Sequence, residues 1–210
     1  TIVITFEDET KMEYRKGIKL SEIVKSIDTD KEIICGNFEN IIIGMDDGIN
    51  KSGKLILYDI NTNIGSRVYE KGLSFLFRVS ALEVLGKDTV IRIRHSIDRG
   101  VFFEIDKNTT DEDIKNIKKV MQDKVDKAIP FIKIETTLLG FNSLSEICNK
   151  QTVASKNNYV TLYKFEGTYN YIIGTLPHDS SVLKYYDLTN IPNKGIILRF
   201  PSVYDDGKIV

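Results

Sequence analysis

The first 62 residues contain a single stretch with helical spacing, Leu20, Ile23, Val24 and Ile27, flanked on both sides by short apolar runs. Ile2–Phe6 alternates with period 2, Glu7-Asp8-Glu9 is a polar turn, and Lys11–Tyr14 returns as the second strand of a hairpin. Glu32–Cys35, Ile41–Ile43 and Lys54–Tyr58 follow, parted by Asn, Gly and Asp turns. Each of these runs is shorter than a typical helix and suits a strand. The segment must therefore wrap a sheet around one helix.

A hairpin, one helix and further strands form the pattern of a small β-grasp (ubiquitin-like) module over residues 1–62. Charge marks the boundary. Residues 1–65 hold eight Lys/Arg against twelve Asp/Glu, whereas residues 66–100 hold seven against four. The two parts nearly cancel, leaving a formal net charge of -1. The second segment opens with an apolar stripe of Val68, Leu73, Leu76, Phe77, Ala81 and Leu85, closed by Gly86. Thr89–Arg94 and Val101–Ile105 read as a hairpin around Asp98-Arg99-Gly100. Thr110 caps a helix bearing Ile114, Ile117, Val120, Met121 and Val125. Phe131–Thr136 is a strand, Ser143–Lys150 a helix, and Tyr159–Phe165, Thr168–Ile173, Val182–Leu188 and Ile196–Phe200 are strands. Helices between antiparallel pairs give the class α+β.

Composition removes several functions. At 41% hydrophobic the chain is too apolar to be disordered, and its near-zero charge does not suit DNA packaging or a polybasic membrane surface. No apolar run reaches the ~18 residues of a membrane span, and the N-terminus lacks a signal peptide's basic start. The expected location is the cytoplasm, with Cys35 and Cys148 as reduced, buried thiols. Thr1 and Val210 suggest a piece of a longer protein.

The chemistry-bearing motifs are incomplete. Gly48–Leu55 follows the spacing of a phosphate-binding loop but has Leu55 where Ser or Thr would hold magnesium, and it runs into a strand. The expected reading is a turn before a strand. Two His and two Cys, never at ligand spacing, do not make a zinc site. His95 and His178 could shuttle protons or be solvated loop residues. His178-Asp179-Ser180 is too local to align a nucleophile, base and orienter. Arg67, Lys71, Arg92, Arg94 and Arg99 could contact RNA phosphates or form a solvated face diluted by Glu70, Glu83, Asp88 and Asp98. Tyr163, Tyr169 and Tyr171 could stack a base or pack across strands.

Residues 1–62 resemble a TGS domain, and residues 65–210, with the string Ile93-Arg-His-Ser-Ile-Asp-Arg-Gly100-Val-Phe-Phe-Glu-Ile105, resemble the editing domain of threonyl- and alanyl-tRNA synthetases. That resemblance puts the family's metal-ligand positions on Glu70, Ser74, Ile172 and Leu176, so metal-dependent deacylation is not expected. Arg67–Leu76, His95-Ser96, Tyr169–Gly174 and Gly195–Pro201 resemble bacterial uridine-kinase-like proteins, in which such a module precedes a phosphate-loop kinase domain. This implies a non-catalytic regulatory or ligand-binding region of an ATP-dependent nucleoside kinase. Its cleft would be formed by His95, Tyr169, Tyr171 and His178. ATP and magnesium would belong to a kinase domain beyond residue 210, and this part would need no cofactor. The alternative is a tRNA-binding module related to threonyl-tRNA synthetase. Neither reading involves DNA or a membrane.

Overall fold

The computed structural model describes residues 1–97, 100–137, 140–141 and 159–201. It divides into two compact units, Thr1–Tyr69 with Gly174–His178, and Glu70–Ile173 with Asp179–Val210. The sequence-predicted helix Ser143–Lys150, Cys148 and Arg99 lie outside the described residues. Among the described residues, no helix is long and apolar enough to cross a membrane.

In the first unit, β1 (Ile2–Thr5) pairs with β2 (Lys11–Tyr14) in the expected hairpin, Ile2 opposite Tyr14. Period 2 buries Ile2 and Ile4 and leaves Val3 outside. β3 (Ile18–Lys19) leads into α1 (Leu20–Ser26), which buries Leu20 and Ile23. Ile27, expected on the helical stripe, is already extended and ends the helix. At the other end the Glu22 carboxylate accepts from the Lys19 backbone N–H at 3.0 Å and pairs with Arg15 at 2.7 Å. The backbone bond first, and the Arg15 guanidinium second, hold that carboxyl below its usual range.

β4 (Ile33–Phe38), β5 (Ile41–Ile43), β6 (Gly48–Ile49) and β7 (Gly53–Asp59) complete the unit. The main sheet has the order β2-β1-β7-β4-β5, and β6 pairs with β3. β7 runs parallel to β1, with Gly53 opposite Ile4, and the remaining neighbours in the sheet are antiparallel. Gly48–Leu55 therefore lies on β6 and β7, with no helix N-terminus to cradle phosphate, as the sequence implies. Cys35 sits in β4 with no exposure, and burial pushes its thiol up to about 12.

α2 (Asn63–Leu85) begins where the Thr62 hydroxyl accepts from the Gly65 N–H at 3.0 Å and donates to the Asp59 carbonyl at 2.8 Å. It ends at Gly86, whose φ of 100° lies in the region that a side chain disfavours. Within the second unit this helix is buried on more than one side, not along a single stripe. Phe75 packs on Phe131 and Phe165, with ring centroids 6.0 and 5.8 Å away. Phe77, about 200° further round the helix, meets Phe103 at 4.5 Å.

Phe103 belongs to β9 (Gly100–Ile105) in a four-stranded antiparallel sheet ordered β13-β14-β9-β8, with β8 (Ile91–Ile97), β13 (Asp187–Ile191) and β14 (Gly195–Arg199). Phe165 ends β11 (Tyr159–Phe165), the middle of a second sheet with β10 (Ile132–Thr137) and β12 (Thr168–Tyr171). Gly195 starts β14 so close to β9 that a Cβ there would stand 1.9 Å from the Phe103 carbonyl oxygen.

α3 (Asp111–Asp126) starts on a capping box in which the Thr110 hydroxyl accepts from the Asp113 N–H and the Asp113 carboxylate from the Thr110 N–H. It buries Ile114, Ile117, Met121 and Val125, the expected face, and also Lys124. The Lys124 ammonium pairs with Glu166 at 2.7 Å and Glu83 at 2.9 Å. Burial alone would lower its pKa, but the bonds to Glu166 and Glu83 outweigh that and hold it above the ordinary lysine range.

One expected strand is absent. Val182–Leu188 does not run as a strand, because Ser180–Val182 is a short 3-10 turn and β13 begins only at Asp187. The Asp179 carboxylate caps that turn by accepting from the Ser181 N–H at 2.8 Å. The Ser180 hydroxyl, wholly buried, donates to the Lys124 carbonyl at 2.6 Å and accepts from the Ile129 N–H at 2.8 Å. Those bonds fix the local backbone before strand pairing can compete.

Two outcomes follow. Lys124→Ala is expected to lower the unfolding free energy by about 2 kcal/mol at neutral pH, read by urea denaturation. Because the folded-state pKa is raised, the Lys124 contribution is complete at neutral pH. It fades as pH rises through the folded value, so the gap between variant and parent should narrow in strong alkali. Alkylation at pH 8 followed by peptide mass mapping should leave Cys35 unmodified in the native chain and modify it in guanidinium.

Candidate functional site

The four positions that the resemblance assigns to a metal carry a carboxylate, a hydroxyl and two alkyl groups. Glu70 and Ser74 are one turn apart on α2, and Ile172 follows β12. The Lys71 ammonium donates to the Ile173 carbonyl at 2.8 Å, so the helix and the segment after β12 do meet. Glu70, Ser74 and Ile172 are half-buried, whereas Leu176 is buried and belongs to the first unit. Alkyl side chains offer a metal no lone pair. Among the described residues no three His, Cys, Asp or Glu side chains stand where they could hold an ion.

Strand register sorts the tyrosines. β11 and β12 join through Glu166 and Gly167, with Lys164 opposite Tyr169 and Leu162 opposite Tyr171. Those four side chains share one sheet face, and Tyr163, opposite Asn170, faces the other way. Tyr169 and Tyr171 are half-buried against a cluster of Phe141, Val160 and Leu162. Phe141 meets the Tyr171 ring edge-on at 6.4 Å, and the Lys164 ammonium lies 5.8 Å from the Tyr169 ring centre. The result is an aromatic face with one cation on it, able to offer a ring to a planar partner. Lys164 is absent from the sequence-derived candidates, yet the Glu-Gly turn followed by alternation would have placed it opposite Tyr169.

His178 has a partner of its own. It lies in the first unit, where its Nδ1 is 2.7 Å from the Asp46 carboxylate, and Asp46 also meets Lys19 at 3.4 Å. Ser180, two residues on, is committed to backbone bonds in the second unit, so His178, Asp179 and Ser180 form no relay. The backbone of His95 lies in β8. Of the four cleft candidates, Tyr169 and Tyr171 share one sheet face, His178 belongs to the other unit, and the side chain of His95 lies outside the described residues.

The basic residues are also unequal. On β8 the Arg94 guanidinium pairs with Glu104 at 2.5 Å, and this hydrogen bond holds the Glu104 carboxyl below its usual range. Arg92 lies directly opposite Glu104 in the ladder and is exposed. A register shift between Ile93 and Ser96 leaves Ile93 59% exposed, although alternation would place it beside buried Ile91. Arg67 is exposed on α2, and Lys71 is spent on Ile173.

No family model matches the chain. It is similar to threonine–tRNA ligase of Caldanaerobacter subterraneus subsp. tengcongensis, 33% identical over 125 residues, covering 57% of this chain and 19% of that protein. A probable cytoplasmic threonine–tRNA ligase of Enterocytozoon bieneusi is 27% identical over 136 residues, covering 63% and 21%. Threonine–tRNA ligase of Flavobacterium psychrophilum is 26% identical over 206 residues, covering 93% and 29%. The chain thus spans less than a third of the length of these relatives.

If Glu70, Ser74, Ile172 and Leu176 do stand at the metal positions, equimolar zinc should give no saturable heat in calorimetry at neutral pH. Stoichiometric, tight zinc uptake would refute that assignment.

Proposed function

We propose that this chain is a non-catalytic, tRNA-engaging module related to the corresponding part of threonine–tRNA ligases. The similarity to the Flavobacterium enzyme, which runs through 93% of this chain, carries the reading. For residues 1–62, the sheet order β2-β1-β7-β4-β5 with β1 and β7 parallel and one short helix supports a TGS-like β-grasp. For residues 65–210, the α2 and post-β12 segments joined through Lys71 and Ile173 support an editing-like domain. Of the four positions that the resemblance assigns to a metal, Ile172 and Leu176 carry alkyl groups with no lone pair to offer. In this reading Arg92, exposed on β8, meets a backbone phosphate, and Arg94, held by Glu104, orients the strand that presents it. The Tyr169 and Tyr171 face supplies a stacking surface for an unpaired base.

A second reading rests on the strings at Arg67–Leu76 and Gly195–Pro201: the same module would be the regulatory region of a uridine-kinase-like protein. ATP and magnesium would then be bound by a kinase domain following residue 210. The downstream coding sequence separates the two readings. A Gly-x-x-x-x-Gly-Lys-[Ser/Thr] loop would favour the kinase, and synthetase catalytic motifs the ligase.

Filter retention of tRNA tests the main proposal. The parent chain should bind, with affinity falling steeply as salt rises. Arg92→Ala should weaken binding several-fold and reduce the log–log salt slope by about 0.9, one phosphate's worth. Absence of tRNA binding by the parent, or an unchanged slope in the variant, would overturn it.

A further inference from the structure

The first unit contains a cavity of about 610 Å³ that none of the chemistry above uses. It lies between the sheet and the turn that follows α1. Its apolar wall comes from Phe6, Met12, Ile27, Ile33, Leu55 and Leu57. Leu55 and Ile33 are buried core residues, so the wall is built on the sheet and not on a loop alone. The volume falls within the range of small-molecule sites, roughly 300–1,000 Å³.

Its polar lining has a sign. Glu7, Asp8 and Asp28 are the acidic residues of the lining and Lys31 its one basic residue. Asp8 accepts a hydrogen bond from the Thr10 N–H at 3.0 Å, and that bond holds its carboxyl below the usual range. The carboxylates of Glu7 and Asp28 make no hydrogen bond or ion pair with any described residue. Phe6 adds a ring that can face a cation. An anion would be repelled by the excess of carboxylates. A hydrated metal ion would gain nothing from the six apolar side chains, and a neutral oil would leave the carboxylates unused. An ammonium carried on an apolar body satisfies both parts of the lining at once.

We propose that this cavity is a binding site for a small organic cation, its apolar body against Leu55, Leu57 and Ile33 and its ammonium at Glu7 and Asp28. Solvent screens the exposed carboxylates, so affinity is modest and selectivity for charge is the signature.

The test is methyl and amide NMR of the whole chain with three probes of one length, hexylammonium, hexanol and hexanoate. Hexylammonium should produce saturable shifts at the Met12, Ile33, Leu55 and Leu57 methyls, with hexanol weaker and hexanoate weaker still by at least tenfold. The double variant Glu7→Gln, Asp28→Asn alters exposed side chains only and should keep the parent's amide pattern. It should bind hexylammonium about 3- to 10-fold more weakly and bind hexanol unchanged. Non-saturable shifts, shifts outside the cavity, equal binding of hexanol and hexylammonium, or an unaffected double variant would each overturn the proposal.

Discussion

Two phenylalanines on one helix organise the larger unit. Phe75 and Phe77 point to nearly opposite sides of α2, one into the Phe131–Phe165 stack and the other onto Phe103. Each ring therefore ties the helix to a different sheet. A helix placed this way has little solvent face left, and Leu73, Leu76, Val79 and Ala81 are all buried. Polar partners then have to meet at the margins. The Lys124 pairs with Glu83 and Glu166 and the Ser180 bonds to Lys124 and Ile129 are how α3 and the 3-10 turn are held in place. Dispersion and burial set the layers, and a few directional bonds set their register.

Local chemistry was legible from the sequence wherever it was decided locally. The β1–β2 hairpin, the Thr110 capping box and the strand after Gly53 follow from alternation, cap residues and turn residues within a few positions. The two-residue β3–β6 pairing did not, because Ile18 and Ile49 are brought opposite each other by the rest of the fold. The run Val182–Leu188 has strand composition, but Asp179 and Ser180 commit the backbone to a turn first. The one-sided stripe read on α2 missed Phe75, because two-sided burial depends on a partner sheet far along the chain.

The site was legible in part for the same reason. Tyr169 and Tyr171 are neighbours by strand periodicity, and Lys164 follows from the hairpin turn. The pairing of His178 with Asp46 spans 132 positions and has no local trace. Of the four positions that the resemblance assigns to a metal, two carry alkyl groups, while α2 and the segment after β12 are tied through Lys71.

The buried ammonium of Lys124 has a thermal consequence. Hydration of charged groups becomes less favourable as temperature rises, so the cost of keeping that ammonium out of water falls on heating. Its bonds to Glu83 and Glu166 join α3 to α2 and to the turn after β11. Cooling weakens apolar burial, so the Phe75 and Phe77 contacts lose strength toward low temperature. The ion pairs lose least on heating, and the larger unit is therefore braced by different forces at the two ends of its working range.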